Sequence, residues 1–137
     1  MENETYLITD IFLAFRKLYN RAKIKINKVL LDEGITLQHA IYIMALDKCK
    51  TATVKELNYF TGNDSGLTSR SLKKLYKLDM IDKTQKNMKK ALIFLTEKGK
   101  EVLNKTLDAL STTKSFLFSR LSSREFLSLH KIAKKVN

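Results

Sequence analysis

Apolar residues recur at helical spacing along the first 32 positions of the chain. From Ile8 through Phe15 and Tyr19 to Leu30 they fall three or four residues apart, which is the period of one face of an α-helix. The pattern predicts a long helix over about residues 5–32. Its apolar surface exceeds what a peripheral helix needs, so we predict that part of it packs against a second subunit. The alternative is a core helix of a monomer.

The residues after Gly34 predict a second helix and the beginning of a third. Thr36 is a typical N-cap for a helix over about residues 37–48. Thr53 and Glu56 have the spacing of a capping box, in which each side chain satisfies a backbone N–H at the beginning of a helix. A short third helix is therefore predicted to begin after Thr53.

A tight turn separates the third helix from a fourth. Gly62 can adopt the left-handed conformation that ends a helix, and Asn63 and Asp64 supply turn and N-cap chemistry. The fourth helix is predicted over about residues 65–78. Its inward positions are Leu72, Leu75 and Leu78. Two helices joined this tightly match the helix-turn-helix motif, whose second helix enters the major groove of DNA.

The outward face of the fourth helix begins with small polar residues and then becomes basic. Small side chains allow close approach to DNA, and arginine can bond to both acceptors on the edge of guanine. The candidate base-reading residues are Ser65, Ser69, Arg70 and Lys73, and the candidate phosphate contacts are Lys74 and Lys77. The alternative is an ordinary amphipathic helix with a solvated lysine face.

Two apolar runs flank a lysine-rich segment after this helix. Met80-Ile81 and Ala91 to Leu95 are strand-like, and Asp82 to Lys90 is polar, which predicts a β-hairpin with a basic tip. Between positions 70 and 90 one arginine and seven lysines stand against two aspartates. A basic hairpin beside a recognition helix is a wing, which lies over the DNA backbone or reaches into the minor groove. Its candidate phosphate contacts are Lys83, Lys86, Asn87, Lys89 and Lys90.

The C-terminal part of the chain predicts two further helices. The first begins at Thr96 and extends to about Phe118. Its apolar positions are Val102, Leu103, Leu107, Leu110 and Leu117. Ser122 and Glu125 then form a second capping box, which begins a helix that ends near Val136. The residues expected to face inward on that last helix are Leu129, Ile132 and Ala133.

Together these segments resemble the MarR family of winged-helix transcription regulators. The resemblance rests on the run from Leu57 to Leu75 (LNYFTGNDSGLTSRSLKKL), on Asp-Met-Ile at 79–81 and, most specifically, on Leu95-Thr-Glu-Lys-Gly99. Asp-Ser-Gly followed by Leu-Lys-Lys-Leu is similar to the hydroperoxide-sensing branch, but the first-helix cysteine of that branch is absent. At the wing, Asn87 and Lys89 occupy the positions of the family's usual Asp-x-Arg, so we expect Lys89 to contact phosphate.

The predicted fold class is mainly α with a small β-hairpin, a winged helix-turn-helix with long N- and C-terminal dimerisation helices. In 137 residues, 44% of them hydrophobic, we expect one domain with a DNA-binding head over about residues 36–95 and dimerisation helices over about 5–33 and 96–136. The chain has no apolar run of about 18 residues, so we expect no membrane span. A polar N-terminus and a single cysteine indicate a cytoplasmic protein.

The titratable residues form no catalytic pattern. His39 and His130 each lack a second ligand three or four positions away, so we expect no metal, no cofactor and no enzyme. Cys49 lies between Lys48 and Lys50, whose ammonium groups can lower the pKa of its thiol. A redox switch and a plain free cysteine are the two interpretations of this position.

We therefore predict a homodimeric, sequence-specific regulator of transcription that binds a palindromic operator in double-stranded DNA, as repressors of this family do. A formal net charge of +12 and a pI near 9.8 favour a polyanionic partner. The alternatives are a winged-helix protein-interaction module and a non-specific nucleic-acid-binding protein. The resemblance also implies small aromatic effectors. The candidate pocket residues are Phe12, Phe15, Tyr19, Tyr42 and Met44, whose alternative role is packing in the core.

Overall fold

A computed structural model of the chain describes residues 3–136, except for the side chains of Phe116 and Leu117. In chain order, its helices and strands are α1 (Glu4–Leu30), α2 (Leu37–Cys49), α3 (Val54–Thr61), α4 (Ser65–Lys77), β1 (Ile81–Lys83), β2 (Ile93–Leu95), α5 (Glu97–Thr112), α6 (Lys114–Leu117) and α7 (Ser123–Val136). The mainly helical, winged helix-turn-helix fold predicted from the sequence is confirmed. Between residues 3 and 136 no single helix is long and apolar enough to cross a membrane, and α1 with α2 meets those criteria only as a pair bent by 87°.

Side-chain caps fix the junction between α1 and α2. A 3₁₀ turn follows α1, and Gly34 closes it in a left-handed conformation. The backbone N–H of Thr36 donates to Nδ1 of His39 at 3.2 Å, so a histidine completes the cap of α2. Asn27 of α1 accepts the N–H of Leu37 at 2.7 Å. Because the first N–H groups of a helix have no partner inside it, this bond ties the beginning of α2 to α1.

The helix-turn-helix motif forms where the sequence predicted it. Thr53 Oγ1 accepts the N–H of Glu56 at 3.1 Å, as the capping box requires. The Glu56 carboxylate accepts the Thr53 hydroxyl at 3.2 Å and not its backbone N–H, so this half of the predicted capping box is wrong. Gly62, at φ 73°, ends α3 in the left-handed region, where a side chain would be strained. Asp64 then caps α4 by accepting the N–H of Leu67 at 2.8 Å. These local bonds confirm the predicted turn.

The hairpin is shorter than predicted. β1 and β2 are antiparallel, and their paired residues are Ile81 and Leu95, Asp82 and Phe94, and Lys83 and Ile93. Met80 lies before the pairing. Ala91 belongs to the tip and not to the strand, because its N–H donates to the Asn87 carbonyl at 2.9 Å and closes a turn there. Ala52 also pairs with Ile93, so the segment before α3 borders the hairpin.

The core lies in the head, which we define as residues 36–95. Its fully buried large side chains are Tyr42, Ile43, Leu46, Leu57, Leu72, Leu75, Met80 and Ile93. The C-terminal end of α1 contributes Ala22, Ile26 and Leu30 to the same cluster. These positions join the head to α1 and to the beginning of α5, where Val102 and Leu103 are also buried.

The predicted helix over residues 96–118 is not continuous, because α5 ends at Thr112. The hydroxyls of Ser111, Thr112 and Thr113 donate to the backbone carbonyls three residues earlier, at 2.8, 2.8 and 2.6 Å. Hydroxyl-to-carbonyl bonds of this kind compete with the bonds of the helix and bend it. Three consecutive residues of this type end α5 here. The side chain of Leu117, one of the expected apolar positions, lies outside the described residues.

The last helix begins as predicted but is not buried in the subunit. Ser122 and Glu125 form both capping-box bonds, at 2.9 and 3.1 Å. Leu129, Ile132 and Ala133 face α1 across an open hollow that Phe15 and Leu18 also line. They are not buried there: Ile132 is 56% exposed, Ala133 is exposed and Leu129 is half-buried.

Candidate nucleic-acid interface

The outward face of α4 is polar and basic. Its exposed residues include Ser65, Ser69, Arg70, Lys73, Lys74 and Lys77. Its buried residues are Thr68, Ser71, Leu72 and Leu75. At 3.6 residues per turn, the exposed group covers about half of the helix circumference. The six residues predicted on α4 for base and phosphate contacts therefore lie on one surface of the subunit.

A buried polar cluster holds α4 against α2. The hydroxyl of Tyr42, whose side chain is fully buried, lies 3.0 Å from Thr68 Oγ1. The same hydroxyl accepts a hydrogen bond from Nδ2 of Asn63 at 2.9 Å. Because a buried hydroxyl without partners is costly, these bonds set how deeply α4 sits on the head. The assignment of Tyr42 to an effector pocket is corrected: it belongs to the core. A polar residue at an inward position of α4, Thr68, is the sequence signal that indicates such a partner.

The first turn of α4 is also held by α3. Nδ2 of Asn58 donates to the hydroxyl oxygen of Ser65 at 3.0 Å. This bond leaves the proton of the Ser65 hydroxyl to be donated to another group. Asn58 was not among the predicted site residues, because its contact with Ser65 forms only when the turn brings α3 and α4 together.

The wing, residues 81–95, carries its lysines in two settings. The exposed lysines at its tip are Lys86, Lys89 and Lys90. Lys83 is half-buried, and its Nζ lies 4.8 Å from the centre of the Tyr76 ring on α4. Asn87 Oδ1 accepts the N–H of Lys89 at 3.0 Å, so this side chain shapes the turn at the tip. Three wing lysines therefore extend into solvent, whereas Lys83 contacts the Tyr76 ring on α4.

The Leu95-to-Gly99 run attaches the wing to α5. The hydroxyl of Thr96 donates to the Asp79 carbonyl and accepts the N–H of Gly99 at 3.1 Å. A Cβ at position 99 would lie 2.0 Å from the carbonyl oxygen of Met80. Any other residue would have to displace that backbone, so glycine permits the close approach. The most specific motif of the sequence thus positions the hairpin.

The charge of this surface is not balanced by ion pairs. Within residues 3–136 the ion pairs join Asp47 to Lys50, Glu97 to Lys100 and Glu33 to Lys105, all away from α4 and the wing. Between positions 70 and 90 eight basic residues stand against two aspartates. Such an excess is what a phosphate backbone attracts.

The predicted effector residues are only partly brought together. Phe12 is 69% exposed, Tyr19 and Phe15 line adjoining hollows that share Leu18, and Met44 lines a hollow beside α2. The hollow beside Tyr19 has a volume of about 570 Å³ and lies between α1, α5 and α7. Partial burial raises the pKa of the Tyr19 hydroxyl, although the side chain remains 43% exposed.

Cys49 does not have the predicted electrostatic surroundings. Burial, and then the carboxylate of Glu56, raise the pKa of its thiol. The expected lowering by Lys48 and Lys50 is wrong, because burial and Glu56 act in the opposite direction. Lys50 itself pairs with Asp47 at 3.7 Å. These surroundings favour the plain free cysteine over the redox switch.

The two histidines are separate. Burial, and then the charge of Lys74, lower the pKa of His39, whose Nδ1 caps α2. His130 is exposed on α7. In the described part of the chain no three side chains of His, Cys, Asp or Glu lie together in a way that could hold a metal ion.

Helix-turn-helix, basic wing and long terminal helices together define a winged helix-turn-helix fold. No protein-family model matches the sequence, and no curated protein matches it either. Solved structures match it throughout. A MarR transcriptional regulator from Methanosarcina mazei Go1 superimposes with a TM-score of 0.79 and 25% identity, over 92% of this chain and 86% of that one.

Two further structures link the fold to DNA and to a ligand. A mutant MarR from E. coli, complexed with operator DNA, matches with a TM-score of 0.71 and 19% identity, over 98% of this chain and 99% of that one. BpsR of Bordetella bronchiseptica, whose DNA binding is regulated by 6-hydroxynicotinic acid, matches with a TM-score of 0.76 and 15% identity, over 93% and 98%. The resemblance to MarR regulators that the sequence indicated is confirmed in the fold.

Proposed function

We propose that this chain is a sequence-specific DNA-binding regulator of transcription. The proposal is carried by the exposed basic face of α4, bordered by a lysine-rich wing, on a fold shared with a MarR protein complexed with operator DNA. In the proposed complex α4 enters the major groove, where its serines, Arg70 and Lys73 face bases. Lys74, Lys77 and the tip lysines of the wing bind phosphates on either side.

We propose that the chain acts as a cytoplasmic homodimer and that a palindromic operator matches its two-fold symmetry. The head binds DNA, and residues 5–33 and 96–136 form the subunit interface. Exposed apolar side chains on these helices support this division, among them Tyr6, Ile8, Ile11, Phe12, Phe15, Leu127 and Ile132. Two recognition helices on a two-fold axis read half-sites about one helical turn apart. A dimer seated on a promoter would exclude polymerase, so we propose repression.

We further propose that a small aromatic compound modulates this binding. The support is the hollow of about 570 Å³ beside Tyr19, whose walls are mostly apolar and whose position lies between the terminal helices. Titration with hydroxylated aromatic acids should release the operator from the wild-type chain. A Tyr19→Ala variant should need a higher concentration for the same release, and equal release from both would remove Tyr19 from the proposed site.

Selection of bound sequences from a random pool of DNA duplexes tests the main proposal. Enrichment of an inverted repeat with half-sites one helical turn apart is the expected result. Salt-dependent binding without enrichment would indicate a non-specific nucleic-acid-binding protein. Absence of binding at low salt would indicate a protein-interaction module.

A further inference from the structure

The wing meets α4 across a hollow. This hollow has a volume of about 270 Å³, and its walls include Ser69 and Tyr76 of α4, Lys83 and Met88 of the wing, and Val54 at the beginning of α3. Ala52 pairs with Ile93 on the other side of the hairpin, so the side chains that line this hollow are one of several contacts between the wing and the head.

Lys83 and Met88 are the wing residues that reach across. Nζ of Lys83 lies 4.8 Å from the centre of the Tyr76 ring, the geometry of a cation–π contact. Met88 is half-buried and packs against the core of the head, although it lies in the otherwise polar tip. The stem of Lys83 begins in β1, opposite Ile93, so its position is fixed by strand pairing as well.

We propose that Lys83 and Tyr76, together with Met88, are positioning residues that hold the wing at its DNA-binding angle. Lys83 acts through the ring of Tyr76 and not through a phosphate, unlike the exposed lysines of the tip. The consequence for DNA affinity rests on the proposed function, whereas the contact belongs to the free protein. A wing that is already in place loses less conformational freedom when it meets DNA, which increases affinity.

Hydrogen exchange in the free protein tests the contact without DNA. The reporters are the amides of Thr84 and Leu92, which bond across the hairpin just beyond the paired strands, at 3.0 Å each. Lys83→Gln should speed their exchange about twofold to fivefold, the range set by an exposed cation–π contact. Lys83→Arg should restore protection, because a guanidinium stacks on an aromatic face. The control Lys86→Gln removes the same charge from the exposed tip and should leave exchange unchanged.

One result of the exchange experiment would refute the role of Lys83. If Lys83→Gln and Lys86→Gln give the same rates at both amides, Lys83 does not hold the wing. Tyr76→Leu should reproduce the effect of Lys83→Gln, and the double variant should show no further increase, since both changes remove one contact. Additive effects would show that the two residues act separately.

Salt dependence of DNA binding then separates positioning from phosphate contact. Lys83→Gln should weaken binding about twofold to fivefold with an unchanged salt slope. Lys86→Gln should lower the slope by about 1, as loss of a phosphate contact does. An equal fall in slope for Lys83→Gln would overturn the proposal. If the wild-type chain binds no duplex at all, the proposed function fails, and the exchange experiment still decides whether the contact holds the wing.

Discussion

The apolar stripe of α1 is enclosed at one end of the helix and exposed at the other. Ile26 and Leu30 are 0% exposed, against 60% for Ile8 and 69% for Phe12. Both halves share the same helical spacing, so the sequence pattern does not distinguish them. The comparison shows that one subunit completes only the C-terminal half of the burial. Exposed apolar stripes of this kind mark an interface, which supports the proposed dimer.

The head and α7 differ in the same way. The head buries its large apolar residues within the subunit, whereas α7 has no buried residue among those described. The head shares one core with the C-terminal end of α1 and the beginning of α5, whereas α7 needs another surface. The effects of substitutions should follow this division.

The largest effect is expected from substitutions on the exposed half of α1. Ile11→Glu combined with Phe12→Glu should convert the dimer to monomer in sedimentation experiments, because carboxylates would be buried at the interface. Operator affinity should then fall about 10²–10⁴-fold, because a monomer loses the gain in affinity that comes from joining two DNA-binding heads. Lys17→Glu changes the charge equally on the opposite side of α1 and is the matched control. A double variant that remained dimeric would place the interface elsewhere.

The next effect concerns the core of the head. Leu72→Ala should lower the free energy of unfolding by about 2–5 kcal/mol, because Leu72 is fully buried. Leu13→Ala, at a position 58% exposed, should change it by less than about 0.5 kcal/mol. Urea unfolding measures both. Similar losses at the two positions would remove the distinction between the head and α1.

A smaller effect is expected at the DNA surface. Arg70→Ala should weaken operator binding by about 1–3 kcal/mol and relax its sequence preference, because a base contact is lost. Lys89→Ala should weaken binding to all sequences similarly and lower the salt slope by about 1. Gel-shift titrations with operator and random duplex compare the two. Intact operator affinity in Arg70→Ala would refute its base-reading role.

The smallest effect is a dependence of stability on pH. His39 can accept the Thr36 N–H only when neutral, and burial and Lys74 lower its pKa in the folded chain. The unfolded chain therefore takes up the proton first. Stability should be complete above about pH 6.5, the ordinary histidine pKa, and should fall as the pH drops through that value towards the lowered folded pKa. Thermal unfolding at several pH values should show this slope for the wild-type chain and a flatter one for His39→Gln.

Caps and turns could be predicted because their bonds are local. The Thr36, Asp64 and Ser122 caps each depend on residues within three positions, and the structure has all of them. The break after Thr112 falls at Ser111-Thr112-Thr113. The helical spacing of apolar residues continues across these three positions, so the pattern favoured a single helix.

Roles that depend on residues distant in the sequence could not be predicted. Tyr42 meets Thr68, 26 positions away. The inward threonine indicates that a polar partner exists, but nothing in the sequence identifies that partner as Tyr42. Lys83 has the composition of a phosphate contact, and only the folded hairpin brings it over Tyr76. The thiol of Cys49 lies between two lysines in sequence, yet Glu56 is its charged neighbour in space.

The carbonyl of Met80 lies so close to Gly99 that the junction between the hairpin and α5 requires glycine at this position. A polypeptide that folds its hairpin onto the following helix in this manner must leave one position without a side chain, three residues after the hydroxyl that caps the helix. Among the structures compared above, identity to this chain falls to 15%. We therefore expect a threonine and a glycine three positions apart to identify this fold in chains whose sequences are otherwise too different to compare.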